Sequence, residues 1–340
     1  MTSESLLKDL KNSPRKWLVT GVAGFIGSHL LEALLLAGQT VAGLDNFATG
    51  HQANLDDVRT IVGSKAWERF TFIQGDVRSL EDCRAATASV DFVLHEAALA
   101  SVPLSIQEPI ATNETNIDGF LNLLVTSRDS GVKRFVYASS SAVYGNEPGQ
   151  PKREENVGRP LSPYALTKLM NEHYADLFGR VYGLETVGLR YFNVFGRRQD
   201  PKGPYAAVIP IWVSGLLNGQ RCLIHGDGDN TRDFCHVSNI VHANLLAATR
   251  TGKEALNQGF NIAGGSSITL NELETMLRGL LGAKVPAVAQ QTPIHGPPRI
   301  GDVIHSQADL SRAARLLDYQ PQIGLQAGLE EAMAWYCDHL

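Results

Sequence analysis

Cysteine is scarce in this 340-residue chain: Cys83, Cys222, Cys235 and Cys337 stand far apart and show no metal-ligand spacing. A disulfide framework and a metal centre are therefore not expected, and the thiols read as reduced packing residues of a cytoplasmic protein. No apolar run reaches the roughly 18 residues that a spanning helix needs. The stretch 1–15 is polar and lacks the apolar core of a secretory signal, so no membrane association is expected. There is no lysine or arginine block, and 30 basic against 35 acidic residues leave a formal charge of -5. Nothing in that balance suits nucleic acid or an anionic surface. Internal repeats and low-complexity tracts are also missing.

What remains is the composition of an ordinary globular protein, 44% hydrophobic and 19% charged, long enough to bury a large core. Its organising stretch runs from Lys16 to Leu30. The apolar run Trp17–Thr20 reads as a buried strand. Gly21, Gly24 and Gly27 then open an apolar helical segment from Phe25 to Ala37. A strand that turns through glycines into a helix start leaves free backbone N–H groups and a positive dipole end, where a diphosphate can sit. Close packing of strand on helix through small residues uses the same geometry.

A second strand ends at Asp45-Asn46, eighteen residues after Gly27. A carboxylate there is placed to accept the adenosine ribose hydroxyls of NAD and to repel the 2′-phosphate of NADP; a turn or cap role is the alternative. The third strand, 69–74, is followed by Gly75-Asp76. Asp76 can hold the adenine amine or cap the helix that begins at Leu80. A strand at 91–95 reaches Ala97-Ala98, small enough for backbone to approach a pyrophosphate. Helices are expected over 113–127, 160–179 and 240–250, and strands over 133–138, 185–191 and 258–262. A short helix at 1–13 should bury one leucine face. The alternation predicts an α/β fold, a Rossmann-like doubly wound parallel sheet with a smaller C-terminal α/β substrate domain. The expected division is 1–196 for the dinucleotide-binding domain, with about 234–265 returning to it, and 197–340 for most of the substrate domain.

Tyr164 and Lys168 lie four apart on one predicted helix, so phenol and ammonium face the same way one turn apart. A nearby ammonium is expected to lower the phenol's pKa. The lysine can also hold the nicotinamide ribose. Ser140, at the end of the preceding strand, can hydrogen-bond a substrate hydroxyl and pass its proton to Tyr164. A tyrosine packed beside a surface lysine is the bland account of the same spacing.

These motifs, with Asn113-x-x-Asn116, Ser139-Ser140-Ser141, Arg190-Tyr191-Phe192-Asn193, Thr231-Arg232-Asp233 and Arg299-x-Gly301-Asp302, resemble the extended short-chain dehydrogenase/reductases and, within them, the NAD-dependent UDP-hexose 4-epimerases. The likeness covers residues 15 to 338. It is nearest the branch that interconverts UDP-N-acetylglucosamine and UDP-N-acetylgalactosamine in bacterial surface-polysaccharide pathways. The resemblance implies Ser140 and Tyr164 as the catalytic pair, Lys168 as activator, and a 4-keto sugar that turns over before reduction on its other face. It implies NAD contacts from Gly21, Gly24, Phe25, Ile26 and Gly27 in the glycine turn, and from Asp45, Asn46, Asp76 and Val77 at the second and third strand ends. Ala97, Asn116, Tyr164, Lys168 and Tyr191 complete that set. For the UDP-sugar it implies Ser101, Ser140, Ser141, Tyr164, Asn193, Val208, Arg232, Arg299, Asp302 and Ser306. Arginine forks suit diphosphate oxygens. A homodimer through the helices at 113 and 163 is also implied.

Ser306 matches the position whose size gates the sugar pocket, where a tyrosine would overlap an acetamide; capping a helix over 307–317 is its rival role. Ala100 and Leu104 replace the glycine and arginine of the nearest relatives, and Leu104 removes a charge that suits an acidic sugar. Uncharged N-acetylhexosamines are therefore the expected substrates, with UDP-glucose and UDP-galactose beside them. The alternatives are an epimerase of UDP-glucuronate or its N-acetylated counterpart, or a related dehydratase or reductase. Ser141-Ala142 stands where the dehydratases carry Asp-Glu. Glu96, where relatives carry glutamine, has no account from sequence.

Overall fold

The computed structural model describes residues 1–201, 206–298 and 304–339. Helix α1 (Ser3–Asn12) buries Leu6 and Leu10 and ends before Pro14. The chain then enters β1 (Lys16–Thr20), whose Trp17, Leu18 and Val19 are fully buried. Side chains alternate across a strand, so Trp17 and Val19 join the core on one face while Leu18 joins the core on the other. Strands β2 (Thr40–Asp45), β3 (Phe70–Gln74), β4 (Phe92–His95), β5 (Arg134–Ser140), β6 (Thr186–Tyr191), β7 (Thr231–Asp233) and β8 (Gln258–Ile262) follow.

Seven of these strands form one parallel sheet in the order β8-β6-β5-β4-β1-β2-β3. The order reverses between β1 and β4. Strand C-termini that diverge at such a point open a crevice for a ligand. Helix α2 (Phe25–Leu36) is apolar on nearly every side because it lies between β1 and another helix. On the opposite face lie α3 (Gly119–Asp129) and α4 (Pro163–Tyr182). Ser162 caps α4 by accepting from Ala165 N, Pro163 occupies its first turn, and Gly183 closes it at φ 72°. Tyr164 thus sits in the first turn of α4 and Lys168 in the next.

The expected single helix over 113–127 is broken. Pro109–Asn113 is α-helical, Glu114–Asp118 forms a π turn, and α3 starts only at Gly119. A π turn adds one residue to the loop of each hydrogen bond, which a three- and four-residue apolar repeat does not register.

Four further helices, α5 (Val208–Leu217), α6 (Val237–Thr249), α7 (Leu270–Gly282) and α8 (Leu325–His339), divide between two places. Helix α6 packs on α2 beneath the main sheet. Helices α5, α7 and α8 bury Trp212, Leu216, Leu273, Leu277, Leu329 and Met333 in a separate core. Between them, β9 (Ser267–Thr269) runs antiparallel to β7, and β10 (His305–Ser306) runs parallel to it.

Ser306 is therefore a strand residue paired with Arg232, not the cap of a helix over 307–317. The helix there is shorter, Ser311–Leu317, and begins after Leu310. Backbone pairing is the reason: Lys152 N donates to Gln307 O at 2.7 Å and Asp309 N to Lys152 O at 2.9 Å, which holds the segment extended.

Candidate active site

The glycine turn forms the cradle that its spacing predicts. Gly21 has φ 65°, and a Cβ there would lie 2.9 Å from Ala97 N. A Cβ at Gly27 would fall far inside van der Waals contact distance of Gly21 O. Only glycine lets α2 approach the end of β1 this closely. Its N-cap, Gly24, makes no side-chain capping bond, so the first N–H groups of the helix remain for a ligand. They face a cavity of about 370 Å³ bordered by Gly21, Gly24, Phe25, Ile26, Gly27, Asp45, Asn46, Val77, Glu96 and Ala97. Backbone donors, a missing cap and small residues fit a dinucleotide pyrophosphate. Gly27→Ala is expected to abolish NAD retention, checked by cofactor released from denatured protein; a full complement would contradict the cradle.

Asp45 ends β2, and its carboxylate accepts from Ala23 N at 2.9 Å and Phe47 N at 2.8 Å. Those bonds hold the turn, and each oxygen keeps a lone pair for a ribose hydroxyl. Asp76 is clamped by Arg78 Nη2 at 2.7 Å and Asn46 Nδ2 at 2.8 Å. The Arg78 contacts outweigh its burial and hold its pKa down at about 2. It does not cap the next helix: Ser79 does, accepting from Asp82 N. Arg78 itself borders the cavity.

The π turn aims Asn116 at the crevice loop. Its side chain accepts from Leu99 N at 2.8 Å, donates to Leu99 O at 3.0 Å, and reaches Thr167 of α4 at 3.1 Å. One amide thus ties the Ala97–Ala100 loop to the helix that carries Tyr164.

Ser140 ends β5 opposite Tyr191 of β6. Its hydroxyl accepts from Ala142 N at 3.1 Å and lies close enough to the Tyr164 phenol to favour its ionised form. Lys168 donates from Nζ to Ala138 O at 2.8 Å, with Nζ 5.9 Å from the centre of the Tyr164 ring. The three side chains do meet, but the electrostatics differ from expectation. Burial pushes the Tyr164 pKa up, the Ser140 hydrogen bond opposes it, and the charge of Glu96 adds to the rise. Burial brings Lys168 down to about 8, against the pull of Glu96. A desolvated ammonium already bonded to a carbonyl does not bring the neighbouring phenol below its ordinary value.

Glu96 is the residue that the sequence left without a role. It follows β4 directly, borders the cavity, and accepts from Tyr191 Oη at 2.8 Å. Tyr191 in turn accepts from Asn244 Nδ2 of α6 at 2.7 Å. Burial lifts the Glu96 carboxyl to about 7, with Tyr191 and Lys168 holding it back. The one sequence signal was an acid at the end of a buried parallel strand.

A second cavity of about 720 Å³ is bordered by Asn193, Val208, Trp212, Arg232 and Phe234. Ala100 borders both cavities, which places them side by side. Asn193 donates to Asp233 O at 3.2 Å, and Arg232 Nη1 to Thr231 O at 2.9 Å. Asp233 accepts from Gly264 N and Gly265 N and, more weakly, from Ala308 N, tying β7 to the Ser306 segment. Ser306 is buried beside Arg232 in the sheet and borders neither cavity. Ser101 caps the helix Val102–Gln107, accepting from Leu104 N at 3.1 Å, and Ser141 opens a 3₁₀ turn. Among the described residues bordering the two cavities, Ser101, Ser141, Ser140, Tyr164 and Lys168 do not figure; Glu96 is the link from the last three to the first cavity. Arg299 and Asp302 lie outside the described residues.

The family model for the NAD dependent epimerase/dehydratase family matches residues 17–263. The UDP-glucose 4-epimerase of Mycolicibacterium smegmatis is 34% identical over 94% of this chain and 97% of its own. The UDP-glucuronate 4-epimerase of Thermodesulfobacterium geofontis is 33% identical over 94% and 95%. Among solved structures, UDP-N-acetylglucosamine 4-epimerase from Methanobrevibacter ruminantium, in complex with UDP-N-acetylmuramic acid, superposes with a TM-score of 0.87 at 37% identity, covering 96% of this chain and 99% of that one. A glycine cradle with room for a dinucleotide and likeness along nearly the whole length lead to one conclusion: the chain belongs to the NAD-dependent epimerase/dehydratase family, and NAD is its cofactor.

Proposed function

We propose that the chain is an NAD-dependent 4-epimerase of UDP-hexoses, in which Tyr164 is the acid–base group. The observation that carries this reading is the meeting of Ser140, Tyr164 and Lys168 at the strand ends beside the glycine cradle. Bound NAD would supply reversible hydride acceptance at sugar C4, the chemistry that lets the configuration there invert. Tyr164 Oη, as the phenolate, accepts the proton of the sugar O4 and, as the phenol, gives it back, and the Ser140 hydroxyl stabilises the phenolate before the first event and after the second. Lys168 Nζ, anchored on Ala138 O, holds the nicotinamide ribose. Asp45 receives the adenosine ribose, and Asn46, Asp76, Val77, Ala97, Asn116 and Tyr191 complete the cofactor's surroundings.

The UDP half occupies the larger cavity, with Arg232 on the diphosphate, Asn193 beside it and Val208 against the uracil. Arg299 and Asp302 belong to the same half by resemblance, as Ser101 and Ser141 belong to the sugar end. The division at 196/197, with 234–265 returning to the dinucleotide-binding part, is supported by the separate apolar core of α5, α7 and α8.

On the sugar itself, the relatives named for UDP-glucose and UDP-glucuronate support the hexose and hexuronate series better than the N-acetylhexosamines expected from sequence. UDP-glucose and UDP-galactose therefore stand first, with the uronate as second reading. Rates on UDP-glucose, UDP-glucuronate and UDP-N-acetylglucosamine test that order, and a fastest rate on the acetylated sugar would reverse it. The small side chain of Ser306 leaves the acetylated pair as additional substrates. Ser306→Tyr is expected to lower turnover of UDP-N-acetylgalactosamine about 10- to 200-fold while UDP-galactose stays within about threefold, since about 1–3 kcal/mol is the scale of one misfitting group. Equal loss on both would overturn the gate.

The homodimer belongs to the same proposal. Leu166, Leu177, Val181 and Tyr182 of α4 and the neighbouring Ile106 and Ile110 are exposed apolar side chains, and covering them on a second copy explains their placement. Sedimentation equilibrium tests it.

A further inference from the structure

We propose that Glu96 is a positioning residue for the reacting groups: its carboxylate sets the protonation balance of the Lys168 and Tyr164 pair through charge. This rests on the function proposed above, because the balance matters only if Tyr164 exchanges a proton with substrate.

The geometry is specific. Glu96 leaves the C-terminal end of β4, the strand beside the topological reversal, and its backbone leads into Ala97 at the cavity wall. Its Oε1 is fixed by Tyr191 Oη at 2.8 Å, and that hydroxyl is fixed by Asn244 at 2.7 Å. His95 of β4 pairs with Tyr137 of β5, so Glu96 leaves β4 beside Ala138, whose carbonyl holds Lys168 Nζ at 2.8 Å; that placement brings Lys168 and Tyr164 of α4 to face it, with Tyr191 from β6 and, behind Tyr191, Asn244 from α6. His95, its neighbour on β4, is bonded to Thr20 of β1 at 2.8 Å and is kept neutral by burial, its pKa near 3.

The direction of each effect follows from Coulomb's law. A negative carboxylate favours the ammonium form of Lys168 and disfavours the phenolate of Tyr164. Tyr164 must change state twice in each turnover, so a charge held beside it decides at which pH that change is easiest. The carboxyl titrates near 7, which places the setting within the physiological range. Tyr191 aims the carboxylate.

The test uses the whole protein as purified, labelled with 13C at lysine Cε, with the Lys168 signal assigned by its loss in Lys168→Met. In wild type the Lys168 midpoint is expected near pH 8, with a second, smaller inflection near pH 7 where Glu96 ionises. Glu96→Gln keeps an oxygen for the Tyr191 hydroxyl and removes the charge. It is expected to erase the inflection and lower the midpoint by about one pH unit. The acid limb of kcat for UDP-galactose should move down by about the same amount, with KM unchanged. Glu96→Asp, which keeps the charge, should keep the inflection. A single smooth wild-type titration overturns the proposal without any variant, and so does a Glu96→Gln profile scaled by one factor at every pH. If wild type interconverts no UDP-sugar, the proposed function fails, while the lysine titration still decides the coupling.

Discussion

Tyr164→Phe is expected to lower kcat about a thousandfold, the middle of the range for a lost acid–base group, with UDP-sugar affinity held within about twofold. The ring itself is not at risk. Tyr164 is 9% exposed and packed in the first turn of α4, so phenylalanine keeps the same contacts and loses only the oxygen. That oxygen faces the Ser140 hydroxyl, and it lies one helix turn before Lys168. UDP contacts are assigned to another cavity, which is why binding and turnover should separate. Isothermal titration with UDP and single-turnover kinetics measure the two independently. Turnover within tenfold of wild type would remove the phenol from the mechanism.

The second large effect is on stability. Arg190 and Glu172 are paired two-fold behind the site, Nε to Oε1 at 2.8 Å and Nη2 to Oε2 at 2.7 Å, with only 6% and 12% of the side chains exposed. Arg190 Nη1 also donates to Tyr144 Oη and Glu154 O, each at 3.0 Å, and Glu172 accepts from Ser139 at 2.6 Å. Burial works against the guanidinium charge, and the Glu172 contacts outweigh it. Removing one partner strands the other in a dry place. Arg190→Met is therefore expected to cost about 3–5 kcal/mol of unfolding free energy, read from urea midpoints. Because the cost is that of the stranded carboxylate, Arg190→Met/Glu172→Leu should recover part of it. A double variant as unstable as the sum of the singles would contradict that explanation. The cluster joins β5, β6 and α4 directly beneath Ser140 and Lys168, so activity should fall with stability in the single variants.

Much of this was legible in the sequence. The central strands β1, β5 and β6 are apolar runs buried on both faces, and the span 258–262 was predicted to the residue. The glycine cradle was legible because backbone contact demands glycine at Gly21 and Gly27, and four-residue spacing on a helix was enough to bring Tyr164 and Lys168 together. Where tertiary contacts decide, the reading failed. The rival role of Ser306, capping a helix over 307–317, gave way because pairing with Arg232 and the strap at Lys152 make it a strand residue. The π turn at Asn116 follows no apolar period. The expected activation of Tyr164 by Lys168 assumed an ammonium in water, whereas both groups are desolvated and the lysine is engaged with Ala138. Glu96 depends on partners 95 and 148 residues away, Tyr191 and Asn244, the second through the first.

Proton NMR of UDP-glucose, UDP-glucuronate and UDP-N-acetylglucosamine, each incubated with the protein and NAD in heavy water, tests the central claim most directly. Inversion at C4 is expected for at least one of them, with protium retained at C4 because the same hydrogen leaves and returns, and with no net consumption of cofactor. A product that has lost water across C5 and C6, stoichiometric NADH, or deuterium at C4 would contradict the account.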